Sequence, residues 1–156
     1  MRKLLIFLLI ATIVVISACS QEKHEKSDND IFVKGGTFKT TKSNYNGATI
    51  SNYYIGKYEV TRKEWIEVMG SNPSEFKGDD LPVVMVSWYD VVEYCNKRSI
   101  KEGLNPYYNI DKTKKDTNNK SDNDNIKWTV TISEGANGYR LPTEAEWAWV
   151  NGTGPS

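Results

Sequence analysis

The sequence predicts one α+β domain of irregular layout, and three observations carry that expectation. Thr61 with Glu64, Ser87 with Asp90 and Thr143 with Glu146 each place a hydroxyl three residues before a carboxylate, the capping-box pattern that satisfies orphan amides at a helix start. Short β-branched and aromatic runs lie around these starts. The chain from about residue 31 onward is long enough for one hydrophobic core and no more.

Ahead of that domain, residues 1–18 read as an export signal, with Arg2 and Lys3 before a charge-free run of 13 residues, 4–16. Such a run rises about 20 Å as a helix, short of the ~30 Å hydrocarbon core. The small residues Ser17 and Ala18 before Cys19 look like a lipobox, so Cys19 is expected to be diacylated and to anchor the chain to a membrane. Residues 19–30 are then a polar tether, and residues 31–156 hold the domain.

Charge excludes several partner classes. The 20 basic and 20 acidic residues balance, and loss of Arg2 and Lys3 with the signal leaves the mature chain slightly acidic. No basic field is available for nucleic acid. Of the 2 cysteines, Cys19 is committed to lipid, so no intramolecular disulfide is expected, and the 1 histidine, His24, sits in the tether. That distribution argues against His-dependent nucleophilic catalysis and against the usual zinc sites.

Through the domain the elements follow in order. Residues 31–38 read as a short strand, a glycine turn at Gly35 and Gly36, and a re-entry at Phe38, a hairpin edge. Residues 49–58 favour strand through Ile50, Tyr53, Tyr54, Ile55 and Tyr58. A helix follows Thr61, with Trp65, Val68 and Met69 on one face and Gly70 as its stop. Residues 71–80 are a loop in which Asp79 and Asp80 make a solvated turn. Residues 81–86 are an apolar run of strand type. The next helix, after Ser87, is expected to bury Trp88, Val91, Val92, Cys95 and Ser99, which makes Cys95 a small apolar side chain and not a reactive thiol. Residues 111–125 are a polar surface excursion, residues 127–133 alternate as a half-buried strand, and a last helix begins at Glu144.

Residues 138–147, Gly-Tyr-Arg-Leu-Pro-Thr-Glu-Ala-Glu-Trp, are the most specific feature. Arg140, fixed between a glycine and a proline, calls for a planar carboxylate partner, and Glu59 is the expected one, as a structural ion pair. This decapeptide closely resembles the signature of the formylglycine-generating enzyme family, also called sulfatase-modifying factor domains. Glu59-Val60-Thr61, the Gly35-Gly36 turn before Phe38, and Pro82-Val83 with Val86-Ser87-Trp88, Asp90, Tyr94 and Cys95 are similar to further family motifs in the same order.

The resemblance implies an irregular α+β fold, distantly like C-type lectins. It implies, as the ancestral activity, oxidation of a sulfatase cysteine to formylglycine with oxygen, copper and a pair of C-terminal cysteines, calcium holding the later half of the fold. None of those catalytic, cofactor or metal positions falls on a residue of this sequence. The residues carried over are structural: Glu59, Arg140, Thr143, Glu144, Glu146 and Trp147. Beyond Trp147 the sequence departs from the family pattern, so the domain is expected to be truncated, through a fragment, a frame-shift or a reduced relative. Three readings follow: a lipid-anchored family member whose catalytic half is missing, with a sulfatase or other protein as partner; a non-enzymatic binding module on the lectin-like scaffold; and an incomplete domain exposing apolar surface.

Overall fold

The computed structural model describes residues 29–39, 45–122 and 124–153; the signal segment, Cys19 and His24 lie outside the described residues. It is a mixed α+β arrangement of small antiparallel sheets and three helices.

The first element is a long two-stranded ribbon. β1 (Asp30–Val33) pairs with β4 (Tyr53–Gly56), and β2 (Gly36–Thr37) pairs with β3 (Thr49–Ile50). Both pairings keep one register, Asp30 opposite Gly56 at one end and Thr37 opposite Thr49 at the other. Phe38 and Ala48 extend it, the Phe38 amide donating to the Ala48 carbonyl at 3.0 Å. The glycine pair is therefore not the turn that the sequence suggested. A Cβ on Gly35 would stand 2.0 Å from the Ile50 carbonyl oxygen, so glycine is needed where the two backbones cross, and its amide donates to Asn52 Oδ1 at 2.9 Å.

α1 (Arg62–Met69) starts at the Thr61–Glu64 capping box and ends on Gly70 at φ 81, whose amide donates to the Ile66 carbonyl. Residues 81–86 do not form the strand expected. Only an antiparallel bridge between Thr61 and Pro82 forms, with the Arg62 amide donating to the Leu81 carbonyl and the Val83 amide to the Val60 carbonyl. Pro82 has no amide to donate, and Met85 takes a left-handed φ of 61, so the ladder cannot continue. The buried Arg62 pins this segment, donating through Nε to the Pro82 carbonyl and through Nη1 to the Phe76 carbonyl.

α2 (Trp88–Lys101) starts at the Ser87–Asp90 capping box. It buries Tyr89, Val92, Tyr94, Cys95 and Ser99. Trp88 is 50% exposed, which corrects the predicted stripe: it stands at the first helical position with its ring edge-on to Tyr89. Trp65 of α1 stacks on Tyr94 of α2 with ring centroids 4.9 Å apart, the aromatic contact that joins the two helices.

β5 (Tyr108–Lys115) pairs with β6 (Trp128–Ile132). The predicted polar excursion therefore begins as strand, because ladder hydrogen bonds need no apolar side chains when the strand face is solvated. Its register shifts between Asp111 and Lys115, where Asp111 Oδ1 accepts from the Thr113 amide and hydroxyl. α3 (Glu144–Ala148) starts at the third capping box and passes into a π-helical turn at Trp149–Thr153. Trp149 returns to the ribbon, its Nε1 donating to the Lys34 carbonyl at 3.0 Å and its ring edge-on to the buried Phe38 at 4.9 Å.

Ser99 ties helix to signature. Its fully buried hydroxyl donates to the Cys95 carbonyl at 2.7 Å and accepts the Tyr139 amide at 2.8 Å. Ser99→Ala leaves that amide without a partner and lowers the unfolding free energy by about 1–3 kcal/mol. Denaturant unfolding with faster exchange of the Tyr139 amide is the check.

Candidate functional site

Residues 138–147 cross the centre of the fold and meet α2, β5 and the ribbon. Gly138 enters beneath Ser99, where a Cβ would lie 2.4 Å from the Ser99 hydroxyl and 2.5 Å from the Asn105 carbonyl oxygen. The Tyr139 hydroxyl donates to Glu102 Oε2 at 2.6 Å, and the Arg98 guanidinium lies over its ring at 4.1 Å while bonding Glu102 Oε1. Burial and the adjacent Glu102 carboxylate push the Tyr139 phenol well above its ordinary value. The Leu141 amide donates to the Tyr108 hydroxyl at 3.1 Å.

Arg140 finds its planar partner in Glu146, not in Glu59. Nη1 donates to Glu146 Oε2 at 2.7 Å and Nη2 to Oε1 at 2.6 Å, a fork-to-carboxylate pair. Glu59 is exposed, whereas Glu146 is buried six residues along the same segment, which is why the local carboxylate wins. Glu146 does two jobs at once: Oε2 also accepts the Thr143 amide at 2.8 Å, and the Glu146 amide donates to the Thr143 hydroxyl. The Arg140 hydrogen bonds hold the Glu146 carboxyl below the usual carboxylate range, and the pairing raises Arg140 in turn. The Glu146 carbonyl accepts from the Tyr53 hydroxyl at 2.8 Å, which fastens α3 to the ribbon.

The remaining signature residues take separate places. Thr143 caps α3, Glu144 is exposed with its carboxylate beside the Tyr45 hydroxyl, and Trp147 is 57% exposed. Arg140, Thr143 and Glu146 are thus one cluster, and its chemistry is that of a lock: every group is already hydrogen-bonded to another part of the chain.

Cys95 is 7% exposed and unpaired with any thiol, and burial pushes it up to about 11. A thiol held that far above neutral pH is protonated and a poor nucleophile. Cys95→Ala therefore costs about 1 kcal/mol of stability. In the folded wild type, alkylation of Cys95 proceeds only as fast as the chain unfolds, which mass spectrometry of iodoacetamide adducts reads directly.

Among the described residues no group of three or more His, Cys, Asp or Glu side chains is placed to hold a metal ion. Among the described residues Cys95 is a lone buried thiol, and Asp79 and Asp80 lie on an exposed turn. Sequence reasoning missed Ser99 and Asn96 as polar anchors. Asn96 donates to the Tyr108 carbonyl and accepts the Tyr108 amide, an amide bracket whose only sequence signal is a polar residue beside the apolar stripe of α2.

A family model described as a sulfatase-modifying factor enzyme 1-like domain matches residues 16–155. A curated relative from Paenibacillus barcinonensis, named "Chaperone protein LppX", is 61% identical over 153 residues, covering 96% of this chain and 55% of its own length. Two solved structures are similar. "Treponema denticola variable protein 1" has a TM-score of 0.57 and 31% identity, over 78% of this chain and 51% of that one. "Crystal Structure of CarF" has a TM-score of 0.55 and 26% identity, over 78% of this chain and 54% of that one. The chain spans about half the length of the curated relative and of both structures.

Proposed function

This chain belongs to the sulfatase-modifying factor enzyme 1-like family, and on that premise we propose that it is a lipid-anchored envelope member that binds protein partners and is not itself the oxidising catalyst. The observation that carries this reading is the 61% identity, over 96% of the chain, to a protein named a chaperone. The geometry supports it in two ways. Arg140 and Glu146 of the signature are spent on their mutual lock and the α3 cap, and the one described thiol is buried and protonated. Meanwhile the apolar side chains of Phe76 and Met85 stand 69% and 68% exposed, available to the apolar stretches of a non-native chain. The scaffold is of the irregular, distantly C-type-lectin-like kind, with loops presented by small sheets.

Anchoring rests on the signal layout and Cys19. No helix among the described residues is long and apolar enough to cross a membrane. Cells expressing the full chain should carry it in the detergent-rich phase after phase separation, and Cys19→Ser should move it to the aqueous phase. Recovery of both forms in the aqueous phase would remove lipidation from the reading.

Partner binding is tested by light scattering from a client enzyme unfolding at elevated temperature. The chain should slow aggregation at near-equimolar ratio, and the Phe76→Ser/Met85→Ser variant should be at least about twofold weaker while unfolding at the same temperature as wild type. Aggregation unaffected by the wild-type chain would reject the client-binding function.

A further inference from the structure

One cleft lies away from the signature, between the start of α2 and the loop joining β5 to β6. It encloses about 330 Å³, near the lower end of the ~300–1,000 Å³ range of small-ligand sites. One wall is aromatic, with the half-exposed Trp88 ring held edge-on by Tyr89 at 5.1 Å and Tyr108 at 6.5 Å. The other wall carries Asp116 and Asp124. Between them Asn119 is a fixed bridge, its Nδ2 donating to the Tyr89 hydroxyl at 2.9 Å and to Asp124 Oδ2 at 2.8 Å. Asp116 Oδ1 accepts the Asn118 amide at 2.8 Å, so both carboxylates are oriented by the loop.

No lysine or arginine is among the described residues that line the cleft. Near the loop, Lys112 pairs with Glu93 and sits over the Trp128 ring, Lys120 donates to the Thr117 carbonyl, and Lys127 donates to the Ser121 carbonyl. The cleft thus brings two carboxylates and an indole together with no cationic side chain in its described lining. A metal ion is a poor occupant because a third anionic or imidazole donor is missing among the described residues. A planar or tetrahedral organic cation satisfies both walls, through the ring quadrupole on one side and charge-assisted hydrogen bonds on the other.

We propose that this cleft recognises the cationic head of an arginine or lysine side chain presented by a protein partner. The proposal rests on the protein-binding reading and names the chemistry that one part of the partner must carry. Arginine fits best, since its guanidinium can stack on Trp88 and fork to a carboxylate in one pose.

The test is a nitrogen-15 NMR titration of the chain with the acetylated, amidated tripeptide Gly-Arg-Gly, its citrulline counterpart and a neutral hexose oligosaccharide. Saturable shifts at the Trp88 indole and the Asn119 amide are expected with the arginine peptide, at least about tenfold weaker with citrulline, and weaker as salt is raised. Asp116→Asn/Asp124→Asn keeps an acceptor oxygen for each loop hydrogen bond and removes only the charge. It should lower affinity for the arginine peptide at least about tenfold with an unchanged unfolding transition. Equal binding of arginine and citrulline peptides, binding of the oligosaccharide that survives in the double variant, or no shift at Trp88 would each overturn the proposal. Loss of peptide binding in the double variant with client protection retained would leave the cation site standing and show that protection uses the apolar segment; loss of client protection in wild type with the cation site intact would overturn only the client reading.

Discussion

Arg140→Ala lowers the unfolding free energy by about 2–4 kcal/mol, the cost of leaving a largely buried carboxylate without its cation, discounted for the part of the pair that water reaches. The side chains of Arg140 and Glu146 are 27% and 10% exposed, so the carboxylate has little solvent to turn to. For a domain of this size the loss corresponds to a fall in melting temperature of roughly 10 °C. A purely local effect is not expected, because Glu146 also closes the α3 cap and its carbonyl holds Tyr53 of the ribbon. The pH dependence has a definite sign. Glu146 is held below its ordinary value of 4.5, so its stabilising contribution is complete above that value and is lost as the pH falls through the lowered one. Wild type should therefore lose stability on the acid side of pH 4.5, and Arg140→Ala should show a flatter slope there. Parallel acid limbs, or an unchanged melting temperature, would reject the pair as the lock of the signature.

Gly138→Ala is the second large effect, about 3 kcal/mol, at the upper end of what overpacking costs. Its added methyl meets Ser99 Oγ at 2.4 Å and the Asn105 carbonyl oxygen at 2.5 Å. The hydroxyl could rotate, but the carbonyl belongs to a backbone already bonded to the Gly138 amide, so the signature must lift away from α2. Gly70→Ala is the control. Its φ of 81 is unfavourable for alanine, yet nothing lies within 4 Å of the new methyl, and about 1 kcal/mol is expected. Denaturant midpoints that rank Gly70→Ala at or above Gly138→Ala would show that close approach is not what the glycine provides.

The parts of this fold legible in the sequence were those decided within four residues. All three capping boxes form as spaced, because a cap needs only its own hydroxyl, its own carboxylate and the intervening turn. Cys95 could likewise be placed on a buried stripe from helical spacing alone. What the sequence hid was decided at long range. The choice of Glu146 over Glu59 depends on which carboxylate is buried, and no periodicity reports that. Gly35 looked like a turn residue because both a turn and a backbone crossing select glycine for lack of a Cβ. Residues 81–86 have strand composition, but Pro82 and the left-handed Met85 leave only a bridge. The cleft was invisible for the same reason: Trp88 and Asp124 are far apart in the chain, and a polar loop gives no sign of the surface it folds against.

A peptide bearing a sulfatase-type cysteine, incubated with the purified chain, copper and oxygen and read by mass spectrometry, decides most directly between scaffold and catalyst. The peptide thiol should be recovered without conversion to formylglycine, by wild type and by Cys95→Ala alike. Formation of the aldehyde by wild type, and its loss in Cys95→Ala with folding intact, would contradict the assignment of this chain as a binding scaffold.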